Sequence, residues 1–334
     1  METSLVTGAA GFIGSHVVEA LIKTGHKVVA LDDLSGGFID NVPAGAAFVE
    51  GSLVDHLLIE KLFHEHKFTY VFHLAAYAAE GLSHFIKRFN YTNNVVGSVN
   101  LINAAVNHNV KCFVFTSSIA VYGAGQTPMT EEMVPMPEDS YGIAKYAIEQ
   151  DLKASHEMFG LDYVIFRPHN VYGEKQNIGD RYRNVVGIFM NQLLQGQPMT
   201  IFGDGEQQRA FTHISDVAPI IAQSASLPAA RNQVFNIGAD VPFTVNHLAK
   251  VISAALGREC NVKHLDPRNE VKLAFSDHSK AARIFGQREK MPLEQGIRLM
   301  ADWVKTHGAR ESSTFKGIEI TKNLPPSWAA AVKH

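Results

Sequence analysis

Tyr141 and Lys145 stand four residues apart in DSYGIAKYAIEQDL, a stretch whose apolar positions recur at helical spacing. Residues i and i+4 of a helix share a face, so the phenol and the ammonium can enter one pocket. A cation near a phenol favours its ionised form, and an ionised phenol can take a proton from an alcohol. The same spacing on a surface helix would be an exposed ring beside a solvated lysine. The elements around the pair must decide between the two.

The stretch VTGAAGFIGSHVVEAL places Gly8, Gly11 and Gly14 between an apolar strand and an amphipathic helix. Glycines at such a junction let backbone approach a pyrophosphate at the positive end of the helix. The next apolar run, KVVALDDL, ends on Asp32. A carboxylate there can accept both hydroxyls of an adenine ribose and would repel a 2′-phosphate, which points to NAD rather than NADP.

Six short runs read as buried strands: SLVTG, KVVALD, AAFVEGS, YVFHLAA, KCFVFTSS and DYVIFRPHN. Between them lie amphipathic helical segments such as SHVVEALIKTGH and NVVGSVNLINAAVNHN. This alternation predicts an α/β fold, a Rossmann-type doubly wound parallel sheet. Residues 1–170 are expected to form the NAD-binding domain. Residues 171–310 form a smaller C-terminal α/β substrate-binding lobe, with the chain returning to the first domain in places. That half shows helices near NVVGIFMNQLLQG, TVNHLAKVISAALG and PLEQGIRLMADWVKTHG and a short strand at MTIFG. Residues 311–334 are read as a C-terminal arm, ordered or loose.

With 334 residues and 46% hydrophobic content, the chain can bury a large core. Lys plus Arg number 30 against 33 for Asp plus Glu, with no long block of one sign, which argues against a nucleic-acid groove or an anionic membrane as partner. No run approaches a membrane span and no charged leader precedes the first strand, so a cytoplasmic protein is expected. Cys112 and Cys260 fit no paired metal spacing and are expected to be buried structural thiols.

The Gly-x-x-Gly-x-x-Gly spacing, HLAA at 73–76, TSSIAVYG at 116–123 and SYGIAK at 140–145 occur in the order of the extended short-chain dehydrogenase/reductase superfamily, which this chain resembles over nearly its whole length. RPHNVYG and FGDGEQQRAFTHISDVA resemble its nucleotide-sugar, NAD-dependent epimerase/dehydratase branch. The resemblance extends the NAD-binding set beyond the three glycines and Asp32 to Phe12, Ile13, Asp33, Ser52, Leu53, Leu74, Ala75, Ala76 and Asn94, with Tyr141 and Lys145. Ser52 departs from the pattern, since the family commonly carries Asp there to meet the adenine.

The resemblance also assigns Tyr141 as base, Lys145 as its cation and Ser118 as the hydroxyl that bonds the reacting oxygen and relays its proton. A phenol near pKa ~10 must fall by about 3 pH units to act at neutral pH, roughly 4 kcal/mol. A unit charge about 4 Å away supplies ~4 kcal/mol at an effective dielectric of about 20, so one lysine is nearly sufficient. The nicotinamide and a helix N-terminus would add the rest.

Family dehydratases carry an Asp-Glu pair after the strand-end Thr, and decarboxylases a Glu; Ile119 and Ala120 stand there here. The remaining outcome is return of hydride to the other face of a keto sugar, the chemistry of UDP-hexose 4-epimerases, which the chain resembles most. By the same resemblance Asn170, Arg209 and Arg268 hold the nucleotide diphosphate and ribose, Ser117 and Ser118 meet the sugar, and Ala274 leaves room for a bulkier sugar. Arg181, Arg183, Thr116 and Ser117 are candidates for a hexuronate carboxylate. Thr116 is equally well explained by a strand-end turn. Interconversion of UDP-glucose and UDP-galactose leads, followed by UDP-glucuronate 4-epimerisation, another NAD-dependent keto-sugar reaction and a non-catalytic NAD-binding scaffold. His16, His73, His169 and His213 are scattered and read as packed imidazoles, so no metal is expected. The family often dimerises through two helices, here around residues 92–108 and 141–159, so a homodimer is expected.

Overall fold

The computed structural model describes residues 2–125, 127–267, 273–308, 315, 317–325 and 328, with 273 and 274 at backbone level. The chain begins β1 (Thr3–Thr7), α1 (Phe12–Lys23), β2 (Lys27–Asp32), β3 (Ala47–Glu50), α2 (His56–His66) and β4 (Tyr70–His73). Two short helices, α3 (Glu80–Ser83) and α4 (Lys87–Tyr91), lead through a π-helical turn at Thr92–Val96 into α5 (Gly97–Asn107). Then come β5 (Cys112–Thr116), α6 (Ser140–Phe159) and β6 (Tyr163–Pro168).

A second lobe follows with β7 (Val171–Tyr172), α7 (Val185–Leu194), β8 (Met199–Phe202), β9 (Gln208–Ala210) and β10 (Thr212–His213). The chain then returns to the first lobe through α8 (Ala218–Ser224) and β11 (Gln233–Ile237). It leaves again through β12 (Pro242–Thr244), α9 (Val245–Leu256), β13 (Val262–Leu265) and β14 (Leu273–Ala274), and ends with α10 (Ser279–Phe285) and α11 (Leu293–His307).

The seven-stranded sheet runs β11-β6-β5-β4-β1-β2-β3, and every pairing in it is parallel. Parallel strands need cover on both faces, which explains why these strands are continuous apolar runs. One face packs against α1, α8 and α10 through Val17, Leu21, Ile221 and Phe285. The other packs against α2, α5 and α6 through Phe63, Leu101, Ile148 and Leu152. Each such side chain stabilises the fold by about 2 kcal/mol on burial. The second lobe has its own core, in which Phe189, Met190, Leu248, Ile297 and Met300 join α7, α9 and α11.

Helix α6 begins where the Asp139 carboxylate accepts from Gly142 N, and ends at Gly160 in the left-handed region, φ +75°. Its buried stripe runs Tyr141, Ala144, Lys145, Ile148, Glu149, Leu152. Three polar groups on the inner face of a helix need internal partners, and those partners build the site. Cys112 is buried in β5, where burial pushes its thiol up to about 12. Cys260, expected to be buried, is exposed. It lies in the polar GRECN turn between α9 and β13, where no apolar layer covers it. No described helix is long and apolar enough to cross a membrane.

Candidate active site

A cleft of about 390 Å³ opens at the carboxyl ends of the sheet strands. It lies where the strand order reverses between β1 and β4, the place at which open α/β sheets hold ligands. Its floor is the turn from β1 to α1. Gly8 has φ +69°, and a Cβ added there would meet Ala75 N at 2.7 Å. A Cβ on Gly14 would come within 1.9 Å of Gly8 O. Any side chain at either position would fill the cradle or force the helix away from the strand, so the turn is built for backbone to approach a ligand.

Asp32 ends β2 with one carboxylate oxygen accepting from Ala10 N at 3.0 Å and the other from Leu34 N at 2.8 Å. Burial raises its carboxyl above the ordinary range, against the pull of these backbone hydrogen bonds. Phe12, Ile13, Asp33, Ser52, Leu53, Leu74, Ala75 and Ala76 line the same cleft with the three glycines. Asn94 does not line it. Its amide is spent behind the wall, with Oδ1 accepting from Tyr77 N at 2.9 Å and Nδ2 donating to Tyr77 O at 3.2 Å.

At the other end Thr116, Ser117, Ser118, Tyr141 and Lys145 come together. Lys145 Nζ donates to Thr116 O at 2.8 Å, lies 4.7 Å from the centroid of the Phe115 ring and 5.8 Å from that of Tyr141. The Ser118 hydroxyl accepts from Ala120 N at 3.1 Å, and its presence beside the Tyr141 phenol favours the ionised form. Lys145 alone does not bring the phenol down. Burial raises Tyr141 above its ordinary value, and the charges of Glu80 and Asp139 add to this; Ser118 and Arg183 oppose it. Burial also brings Lys145 down to about 7, with Glu149 opposing. Desolvation acts on both partners and outweighs the attraction of one cation.

Ser117 lines the cleft, but its hydroxyl donates to Glu149 Oε1 at 2.6 Å. Glu149 in turn holds Arg167 through Nε at 2.9 Å and Nη2 at 2.5 Å, and both charges are buried. The Thr116 hydroxyl is buried beside the cleft and has no hydrogen-bond partner among the described residues.

Asn170 lines the cleft. Arg209 does not: it sits on β9 with Nη1 donating to Gln208 O at 2.8 Å. Ala274 pairs with Arg209 in backbone register, while its side chain and Arg268 lie outside the described residues. Arg183 lines the cleft but is held by Asp180 and stacks 5.1 Å from the Tyr77 ring centroid. Tyr77, Glu80, Phe89, Asn93 and Asn177 also line it, and sequence reasoning named none of them. Tyr77 and Asn177 lie in loops, Glu80 and Phe89 in helices too short to show a period, and Asn93 at the start of the helix expected at 92–108, where nothing marked its inward direction. The Asp180–Arg183 pair forms in a bend before α7, outside any helix, so its spacing carried no signal.

His73 bonds Thr7 and Ser98 at 2.8 and 2.7 Å, and burial holds it well below its ordinary pKa. His16 meets Glu174 O at 3.1 Å, His169 faces His278 at 3.1 Å, and His213 bonds Ser215 at 2.8 Å. Among the described residues no group of three or more His, Cys, Asp or Glu side chains is placed to hold a metal.

The cradle that a Cβ would fill and the anchored Asp32 fit a dinucleotide laid along the cleft. Known proteins agree with that fit. The family model for the NAD dependent epimerase/dehydratase family matches residues 4–238. UDP-glucose 4-epimerase of Mycolicibacterium smegmatis is 35% identical over 302 residues, covering 88% of this chain and 96% of the relative. The crystal structure of a Thermotoga maritima UDP-glucose 4-epimerase with UDP-glucose superimposes with TM-score 0.87 at 36% identity, over 91% of this chain and 99% of that one. A UDP-N-acetylglucosamine 4-epimerase from Methanobrevibacter ruminantium, in complex with UDP-N-acetylmuramic acid, gives 0.86 at 34%, over 92% and 99%. With sheet order, glycine cradle and Ser-Tyr-Lys constellation in one cleft, the chain belongs to the NAD-dependent epimerase/dehydratase family, on its UDP-sugar 4-epimerase side.

Proposed function

We propose that this protein is an NAD-dependent UDP-hexose 4-epimerase that interconverts UDP-glucose and UDP-galactose through a 4-keto sugar. The observation that carries the reading is the meeting of Ser118, Tyr141 and Lys145 at one end of the cradle-bearing cleft. Ile119 and Ala120 stand in the turn beyond Ser118, the place where the family's dehydratases carry acids for elimination.

Gly8, Gly11, Gly14 and Asp32 would hold NAD at pyrophosphate and ribose, with Asp33, Leu53 and Ala75 along the adenine and ribose path. Bound NAD supplies the acceptor and donor of hydride at C4. Tyr141 takes the proton from the C4 hydroxyl and later returns it. Ser118, beside the phenol in the same cleft, orients the sugar oxygen and passes the proton across. Lys145 stabilises the phenolate, and the Thr116 carbonyl fixes where its ammonium sits. A cation entering the dry end of the cleft would lower the phenol relative to its cofactor-free value. Asn170 is placed to meet the diphosphate.

The neutral hexose is preferred over the hexuronate on two contacts. Arg183 is already engaged by Asp180 and Tyr77, and the Ser117 hydroxyl donates to Glu149, so a carboxylate on the sugar would compete with partners already in place. A homodimer is part of the same reading, supported by exposed Val96, Ile143, Met158 and Phe159 on the π turn and α6.

The test is proton NMR of purified protein incubated separately with UDP-glucose, UDP-glucuronate and UDP-N-acetylglucosamine, without added NAD. Inversion at C4 of UDP-glucose is the expected result. Inversion of UDP-glucuronate alone would replace the substrate, and no inversion of any sugar after NAD is added would end the epimerase reading.

A further inference from the structure

The wall formed by residues 77–93 brings Tyr77, Glu80, Phe89 and Asn93 into the cleft, beside the catalytic end. Its helix α4 has only five residues, and its N-cap, Ile86, gives no side-chain hydrogen bond. Helix α4 runs on through the π turn into α5, so what its uncapped start lacks is acceptors for its first N–H groups.

Those acceptors come from the far end of the chain. Glu319 accepts from Arg88 N at 2.8 Å through Oε2 and from Phe89 N at 2.9 Å through Oε1. Its own N–H and that of Ile320 both donate to Phe85 O, at 2.8 and 3.1 Å. Nearby, the Phe315 ring packs 4.8 Å from Phe89 and 5.3 Å from Tyr77, and those two rings meet at 5.1 Å. Trp328 packs against Phe85 and Tyr182. The same face of the wall thus receives a carboxylate cap and an apolar plug from one segment.

We propose that the C-terminal arm is a component of the sugar-binding end of the cleft, with Glu319 and Phe315 as positioning residues for the 77–93 wall. The inference rests on the UDP-sugar reading of that cleft. Neither side chain touches the glycine cradle, Ser118, Tyr141 or Lys145. Their loss therefore leaves NAD binding and the proton-transfer groups in place and depopulates the wall conformation that receives the sugar. Apparent affinity for a ligand falls by the fraction of protein that remains competent. A merely structural arm would instead lower thermal stability without moving affinity and turnover apart.

The experiment compares wild type with Glu319→Ala, Glu319→Gln and Phe315→Leu in the full chain. It measures KM and kcat for the epimerised sugar, co-purified NAD, and calorimetric Kd for UDP-glucose. Glu319→Ala is expected to raise KM and Kd about tenfold, the scale of a lost carboxylate cap, with kcat within about twofold and NAD retained. Glu319→Gln, which keeps one acceptor, should fall between. Unchanged KM and Kd in both Glu319→Ala and Phe315→Leu, or kcat falling in step with KM, would overturn the proposal. A wild type that binds UDP-glucose without inverting C4 would sink the epimerase reading instead, and the Kd ratios would still decide the arm.

Discussion

Burial acts in opposite directions on the two residues that carry the chemistry. Tyr141 is held above its ordinary pKa and Lys145 is brought down to about 7, so burial works against the charged form of each. Tyr141→Phe removes the proton acceptor and little else: kcat should drop by about 10³-fold or more while NAD stays bound. Absorbance of co-purified cofactor and NMR turnover check both halves, and undiminished turnover would remove Tyr141 from its role. Lys145 gives a second prediction through stability. Its folded pKa lies below the unfolded value of about 10.4, so the unfolded chain binds more protons between about pH 7 and 10, and stability rises with pH there. The cost of burying the amine is complete below pH 7 and gone above about pH 10. Lys145→Met should therefore melt highest relative to wild type near pH 6, with its advantage shrinking steadily towards pH 9. A pH-independent difference in melting temperature between the two proteins would contradict this origin.

At the scale of elements, the site depends on how α6 is tied to the sheet. Glu149, one turn beyond Lys145 on the same stripe, bridges α6 to Arg167 on β6 and to Ser117 after β5, and Tyr122 stacks 4.7 Å from the guanidinium. Both charges lie in the dry interior, where each is tolerable only with its partner. Glu149→Ala should cost about 3–5 kcal/mol, because Arg167 is left as a buried unpaired charge. Urea unfolding with an unchanged m-value would report it. Replacing both residues together, Glu149→Met with Arg167→Leu, should recover much of that loss. If the double variant is as unstable as the single one, the instability has another source. The pairing also ties Ser117, adjacent to Ser118, to the interior: its hydroxyl donates to Glu149 while Ser118 stands free of that network.

Across the whole molecule, what the sequence made legible was local: continuous apolar strands, the glycine turn and the carboxylate ending β2 all follow from neighbours within a few residues. What it hid was long-range. Phe315 and Glu319 have no periodic pattern, and their partners lie some 230 positions earlier, so an arm that supports the cleft wall read as a possible tail. Cys260 was misjudged because thiols are usually buried, whereas its turn has no apolar cover. The α5–α6 surface is the remaining feature at this scale. Ile143 near the start of α6 is 43% exposed, and Met158 and Phe159 at its end are 73% and 65% exposed. A two-fold axis across α6 would set the Ile143 end of one copy against the Met158–Phe159 end of the other, with Val96 at the margin, and cover all four residues in one self-complementary contact. Sedimentation of wild type should then give twice the 36.7 kDa chain mass, and Ile143→Glu with Met158→Glu should give a folded single chain. A wild type that sediments at 36.7 kDa at micromolar concentration would leave this apolar surface without a partner copy and withdraw the dimer from the proposed function.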